Sequence, residues 1–192
     1  MSNDTGIFGV NHGIICQQCN CRGAYGAGLS GAIADKYPEV LKLFNADYDL
    51  NEGQQFGTYR IIPVEFTHTD SGVKALSIAN IYSQDDYGNS AVTKKKYTDT
   101  DKLVSAIKDI CERSDCNVYI PHSVDKKGNH SGIGCGLAGE KWENLYPRLQ
   151  ALNAPNLYLL DTFTGEIEKV QPTGKEQQKP KHQHKKSCDI ER

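Results

Sequence analysis

One stretch limits what this chain can fold into: Cys16-Gln-Gln-Cys-Asn-Cys-Arg-Gly-Ala-Tyr-Gly-Ala-Gly-Leu-Ser30. An apolar run containing Ile14 and Ile15 leads into it, and a helix-compatible run over residues 32–37 leads out. A strand therefore passes into a helix through a segment holding Gly23, Gly26, Gly28 and Gly31. Glycine reaches positive φ and lets other atoms come close to the backbone. A helix that follows such a turn opens with unpaired N–H groups and the positive end of its dipole. Nucleotide phosphates and riboses suit that geometry. A second glycine-rich segment, residues 131–139, has the same character, and together the two predict a grip on a diphosphate nucleotide.

The chain has 192 residues, enough for one domain with a proper core and short for two. The domain is expected over residues 1–170. From Gln171 the composition turns to Lys, Gln, His and Pro without apolar periodicity, so 171–192 reads as a disordered basic tail, solvated rather than bound to nucleic acid. A formal net charge of −2 gives no general pull toward nucleic acid or anionic membrane. No run approaches the ~18 apolar residues of a membrane helix, and no basic-then-apolar signal opens the chain. These features predict a soluble, cytoplasmic monomer. Seven cysteines, an odd number, fit reduced thiols better than a disulfide framework. Cys16, Cys19 and Cys21, with His12 nearby, raise a zinc reading, as do His182, His184 and Cys188 in the tail. No second Cys-x-x-Cys follows in the globular part, however, and packing as small hydrophobes is preferred, with no metal and no cofactor expected.

Residues 13–18 read as a buried strand and 27–37 as a short helix that Pro38 ends or bends. A further helical turn over 39–44 leads to a polar loop, 45–57. Residues 58–66 and 74–82 form a hairpin-like pair of strands, Pro63 marking an edge position or a bulge. After a polar segment, 99–114 places Leu103, Val104, Ile107, Ile110 and Cys111 at helical spacing, with Asp99 or Thr100 as N-cap. A short strand at 117–121, a long loop at 122–138, a helix at 139–153 that must accommodate Pro147, and a last strand at 156–161 complete the pattern. Strands alternating with helices give an α/β fold with helices on both faces of the sheet. Ligands of such folds sit beyond the strand C-termini, where both glycine-rich loops should meet at one rim.

Cys19-Asn-Cys-Arg-Gly-Ala-Tyr-Gly-Ala-Gly-Leu29, Gly132-Ile-Gly-Cys-Gly-Leu-Ala-Gly139 with Trp142-Glu143, and Ala79-Asn-Ile-Tyr-Ser-Gln-Asp-Asp-Tyr-Gly88 between them resemble a macrodomain. The resemblance covers about residues 13–164. More narrowly, it is to the branch of ADP-ribose-1″-phosphate phosphatases and ADP-ribosyl-glutamate hydrolases, a branch also met in phages. It implies a three-layer α/β/α macrodomain-like fold with a mixed central sheet, and a ligand that is ADP-ribose or a derivative, free or on an ADP-ribosylated protein. It also implies that Asn20 bonds the distal ribose, although Asn20 is equally a turn former. Cys19, Gly26, Ala27, Gly28 and Leu29 would lie against that ribose and the adjoining phosphate. Ser131, Gly132, Ile133, Gly134, Cys135, Gly136 and Leu137 would cradle the diphosphate, aided by a helix starting near Gly139. Phe163 matches a position beside the adenine, with a core phenylalanine as the other reading. The family's first strand ends in Gly-Asp, and here Asp4 is the only acid at a workable distance.

The branch's glutamate hydrolases carry a lysine near the Gln84 position and an aspartate at the Ala138 position; this chain has neither, which implies that it does not remove ADP-ribose from glutamate. Phosphate monoester hydrolysis remains. It needs a nucleophile, an acid for the leaving oxygen and N–H-rich surroundings. The phosphatases' acid after the middle strand and histidine before the phosphate loop match Asp85 or Asp86 and His130, which otherwise read as turn and surface residues. His122 is a further candidate, and residues 122–130 look like an insertion. Cys135 has no base near it and reads as packing. The expectation is an ADP-ribose-1″-phosphate phosphatase, or else a binding module that reads ADP-ribosylation or sequesters NAD-derived signals.

Overall fold

The computed structural model describes residues 6–50, 55–70 and 72–173; Asp4 and nearly all of the basic tail lie outside them. Along β1 (Gly13–Asn20) every residue but Gln18 is buried, as in a central strand covered on both faces. A 3-10 turn (Gly6–Gly9) precedes it. After it come α1 (Leu29–Lys36), α2 (Pro38–Leu50), β2 (Tyr59–Thr69) and β3 (Gly72–Gln84). Then follow α3 (Ser90–Thr93), α4 (Thr100–Arg113), β4 (Val118–Val124), β5 (His130–Gly132), α5 (Trp142–Ala151), β6 (Leu157–Asp161) and β7 (Ile167–Lys169).

The sheet runs β2-β3-β1-β4-β6-β7, with β5 on β4. The central pairings β3–β1, β1–β4 and β4–β6 are parallel, and β2, β5 and β7 are antiparallel to their partners. Side chains alternate across a strand. Ile14 and Cys16 therefore join Leu103 and Ile107 of α4 and Leu145 of α5 on one face. Ile15 joins Ile33 of α1, Val40 of α2 and Tyr119 of β4 on the other. This is the mixed, three-layer α/β/α arrangement, each fully buried aliphatic side chain contributing about 1.5–3 kcal/mol.

Several elements differ from the sequence pattern. α2 continues to Leu50 through residues that read as polar loop. Its Phe44 stacks between Tyr25 and Tyr82, and its Asp47 pairs with Arg60 and accepts from the Tyr82 hydroxyl. Tertiary partners thus hold residues whose own pattern is weak. The expected loop 122–138 is in part a β-hairpin, with β4 running to Val124 and β5 returning beside it. Asp125 closes the turn by accepting from the N–H groups of Lys127 and Asn129. The second glycine-rich loop consequently leaves the returning arm of a hairpin, and α5 begins at Trp142 rather than near Gly139. Pro63 sits on the edge strand β2, beside a register shift.

The pairing of β1 with β4 positions the site. It lasts only for Ile14 with Val118 and Ile15 with Tyr119, while β1 stays on β3 up to Asn20. Beyond Tyr119, β4 keeps β6 on one edge and takes β5 on the edge that β1 has left, so His122 lies opposite both Asp161 and Gly132. The two central strands thus part at their C-terminal ends. From β1 the chain passes to β3 on one side, and β3 passes to β4 on the other. A fork at such a switch point is where open α/β sheets hold ligands.

Candidate functional site

A cleft of about 630 Å³ fills the fork. Its walls come from the C-terminal half of β1, the turn before α1, the ends of β3 and β4, and the second glycine-rich loop. Asn20 and Gly134 line the same cavity. So do Cys19, Ala27, Gly28 and Leu29 from the first loop, and residues 131–133, Gly136 and Leu137 from the second. Gly26 and Cys135 belong to the two loops without lining the cleft, and Phe163 is exposed beyond Thr162.

Asn20 shapes the first loop. Its Oδ1 accepts from the N–H groups of Arg22 and Ala24, and its Nδ2 donates to the Ala24 carbonyl. The turn then delivers Gly28 at φ 59, a left-handed conformation that glycine adopts without strain, as the N-cap of α1. No side chain caps this helix, so its first N–H groups stay available at the cleft. In the second loop, N–H groups are spent at Ile133, Cys135, Gly139 and Glu140. Those of Gly134, Gly136, Leu137 and Ala138 have no acceptor among the described residues. No Lys, Arg, Asp or Glu among the described residues lines the cleft. Its polarity comes from peptide dipoles and from neutral side chains such as Gln17, Gln84, Asn89 and Thr162.

Solved structures identify the architecture. The macrodomain of Mycobacterium tuberculosis DarG aligns with a TM-score of 0.59 at 14% identity, over 84% of this chain and 93% of that one. A macrodomain protein from Streptomyces coelicolor gives 0.55 at 17% identity, over 79% and 88%. This chain has the macrodomain fold. Thermosipho africanus DarTG in complex with ADP-ribose gives 0.56 at 16% identity, over 77% of this chain and 37% of that one. In sequence, this chain is 31% identical over 86 residues to the ADP-ribose 1″-phosphate phosphatase of Debaryomyces hansenii, matching 42% of this chain and 48% of that protein. It thus spans about half the length of the curated relative it matches. No family model matches it.

The candidate acids do not line this cleft. Asp85 and Asp86 line a neighbouring cavity, where Asp85 pairs with Arg22 at 3.7 Å and Asp86 with Lys95 at 3.2 Å. The Tyr87 N–H, then Lys95, hold the Asp86 carboxyl below the usual carboxylate range. His130 does not line the cleft, but its Nδ1 lies 3.0 Å from Nε2 of His122, which does. Both imidazoles pack on Trp142, which stacks in turn on Tyr146. Burial, then neighbouring His130, hold the His122 imidazole below the usual histidine value, against an upward pull from Asp161 and Glu168. Gly132 makes the packing possible, because a Cβ there would sit 2.4 Å from the Trp142 ring.

The thiols do not converge. Cys16 packs among the residues of α4 and α5, whereas Cys19 and Cys21 pack with Phe44 and Tyr82. Burial pushes the Cys16 and Cys19 thiols far above their ordinary value, and those of Cys21 and Cys135 to about 11. Among the described residues no three metal-ligating side chains gather.

Three polar residues of the cleft, Gln17, Gln18 and Gln84, and Thr98 against Gly134, carried no glycine or histidine to mark them. The readable signal was the pair Gln17-Gln18 inside a buried central strand, since a buried polar group needs partners. Glu140 also went unmarked. Burial pushes its carboxyl up, but hydrogen bonds from Thr100, the Lys141 N–H and Lys96 outweigh that and hold it below the usual range. It ties the end of the second loop to the start of α4.

Proposed function

We propose that the cleft binds ADP-ribose or a close derivative, with the diphosphate between the two N–H-rich loops. One observation carries this reading: the uncapped start of α1 at Gly28 and the unpaired N–H groups of Gly134, Gly136, Leu137 and Ala138 belong to residues that line one cavity, in the fork between β1 and β4. Fixed N–H dipoles suit phosphate oxygens. The volume suits a dinucleotide-sized ligand, being within the usual range of roughly 300–1,000 Å³ for small-molecule sites. The likeness to a macrodomain solved with ADP-ribose supports the same ligand. A protein carrying ADP-ribose presents the same group to this cleft. Calorimetric titration of the full chain with ADP-ribose, AMP and ribose 5-phosphate tests the reading. Saturable binding of ADP-ribose, tighter than either fragment, is expected; no binding of ADP-ribose overturns it.

A second reading adds turnover: hydrolysis of ADP-ribose-1″-phosphate to ADP-ribose and phosphate. Two observations favour it, the resemblance to the Debaryomyces phosphatase and the His122–His130 pair at the cleft wall. A neutral His122 takes a proton from a water whose oxygen bonds to phosphorus. The phosphorus–O1″ bond breaks, and the same proton passes to O1″. A histidine held below its usual value stays neutral at physiological pH, as this role requires. Phosphate release from ADP-ribose-1″-phosphate, lost in His122→Ala while ADP-ribose binding survives, supports the enzyme. Binding of the phosphorylated ligand without release assigns the protein as a binding module.

A further inference from the structure

Gln18, Gln84 and Thr98 form a chain of side chains between β1 and the second loop. The Gln84 Nε2 donates to the Gln18 Oε1 at 2.6 Å, and the Gln18 Nε2 donates to the Ser83 hydroxyl at 2.8 Å. The amide of Gln18 is thereby fixed from both ends by residues at the end of β3. Thr98, bridged to Gln84 through the backbone, donates its one hydroxyl proton to the Gly134 carbonyl at 3.0 Å, with the Gln18 Oε1 farther from the same hydroxyl at 3.3 Å. That carbonyl accepts a second hydrogen bond, from the Glu140 N–H at 3.0 Å. Gly134 has φ 76, and a Cβ there would stand 3.1 Å from the Thr98 hydroxyl.

We infer that Thr98 is a positioning residue for the anion-binding loop: it turns the Gly134 carbonyl away from the cleft, so that the loop meets a phosphate with N–H groups and not with a carbonyl oxygen. This deepens the ADP-ribose reading and rests on it for the ligand, though not for the geometry. A peptide plane has two polar edges, and an anion is attracted to one and repelled by the other. The Gly134 carbonyl is held on two donors and the Cys135 N–H across the same peptide plane is spent on the Gly132 carbonyl, so that plane cannot turn its oxygen into the cleft, and the N–H groups of Gly134, Gly136, Leu137 and Ala138 are left for the ligand. That is preorganisation, and it removes an ordering cost from binding. The backbone bridge from Thr98 to Gln84, and the Gln84 amide donating to Gln18, extend the effect to β1, the strand that carries Asn20. Both halves of the cleft are therefore registered on one short run of hydrogen bonds.

The test compares Thr98→Val, which keeps the shape and loses the hydroxyl, with Thr98→Ser, which restores the donor. Binding of ADP-ribose and of adenosine, which has no diphosphate, is measured by titration. Amide hydrogen exchange is followed over residues 133–138 and over α4 without ligand. Thr98→Val is expected to weaken ADP-ribose by about fivefold to tenfold, the worth of one hydrogen bond. Adenosine should bind as before, exchange should speed up in residues 133–138 alone, and Thr98→Ser should restore both. Unchanged exchange and unchanged affinity in Thr98→Val overturn the inference. So does equal weakening of both ligands with faster exchange throughout α4, because that is loss of general fold support. Should the wild-type protein fail to bind ADP-ribose, the ligand reading falls, and the exchange measurement still decides whether Thr98 orders the loop.

Discussion

Two cavities meet at the segment around Thr98, and their linings are opposite in kind. The cleft, about 630 Å³, shows peptide N–H groups and neutral side chains. Its neighbour, about 470 Å³, is lined by Lys95, Lys96 and Arg148 together with Asp85, Asp86, Asp99 and Asp101. More charge does not make the second the better anion site. Asp86 holds Lys95, Asp101 holds Arg148, and the buried Glu140 holds Lys96, so each cation already has an anion at hand. Glu140 apart, these groups are largely exposed, where a single pair is worth ~0–1 kcal/mol and is screened by salt. In the cleft the donors are fixed by the backbone and need no rearrangement to meet a phosphate. Polarity held by the fold recognises; polarity on flexible exposed side chains neutralises itself.

The largest expected effect breaks this comparison at its chemistry. If phosphate release occurs in the cleft, His122→Ala should lower the rate by about 10²-fold or more, the usual contribution of a positioned acid or base. Asp85→Asn with Asp86→Asn should cost far less, since both carboxylates line the other cavity. A reversed order in a phosphate-release assay moves the chemistry to the charged cavity. Next in size is Gly132→Ala. Its Cβ meets the Trp142 ring at 2.4 Å, within the packing that supports the His122 wall. Overpacking of this kind costs about 1–3 kcal/mol, read as a fall of several degrees in the melting temperature. An unshifted melting curve shows that the hairpin moves aside freely.

The same comparison shows what the sequence could and could not disclose. Local chemistry was legible. Glycines at 26, 28 and 134 announced turns, and the spacing of Leu103, Ile107 and Ile110 announced α4, whose Asp99 cap accepts from the Lys102 N–H. Opposition across space was not. Asp85 and Asp86 follow β3 directly, and nothing in the string says that Arg22 and Lys95 draw them away from the fork. The hairpin at β5 was hidden because its arms are short and polar, and its turn depends on Asp125 bonding to its own backbone. α2 overran its pattern because Arg60 and Tyr82 hold Asp47 from another element. Thr98, which separates the two cavities, looks like any polar loop residue until Gly134 is placed beside it.

A smaller effect concerns pH. The His122 imidazole is held below its ordinary value by burial and by His130, so the unfolded chain takes up this proton more readily than the folded one. Stability contributed by the neutral form is present above the ordinary histidine value, about 6.5. It is lost as pH falls below that toward the depressed folded value. Melting temperatures from pH 8 down to pH 5, for wild type and His122→Asn, should separate at the neutral end and converge toward acid. Glu140, also depressed overall, acts in the same direction but in a lower window, below the usual glutamate range. A wild-type curve that is flat between pH 7 and 5 shows that the His122 imidazole does not sense folding.

The smallest effect should be that of salt, and it sharpens the comparison most directly. Binding led by exposed Lys and Arg weakens steeply as the screening length shrinks from about 10 Å at 0.1 M toward 3 Å at 1 M. The cleft presents no charged side chain among the described residues, and its N–H dipoles act at contact distance, inside any ion atmosphere. Affinity for ADP-ribose should therefore change by no more than about threefold across that range of ionic strength, a shift of well under 1.4 kcal/mol. A tenfold or greater loss would mean that the cations of the neighbouring cavity reach the diphosphate. Lys95→Gln and Lys96→Gln, tested singly for loss of that salt dependence, would then identify which one.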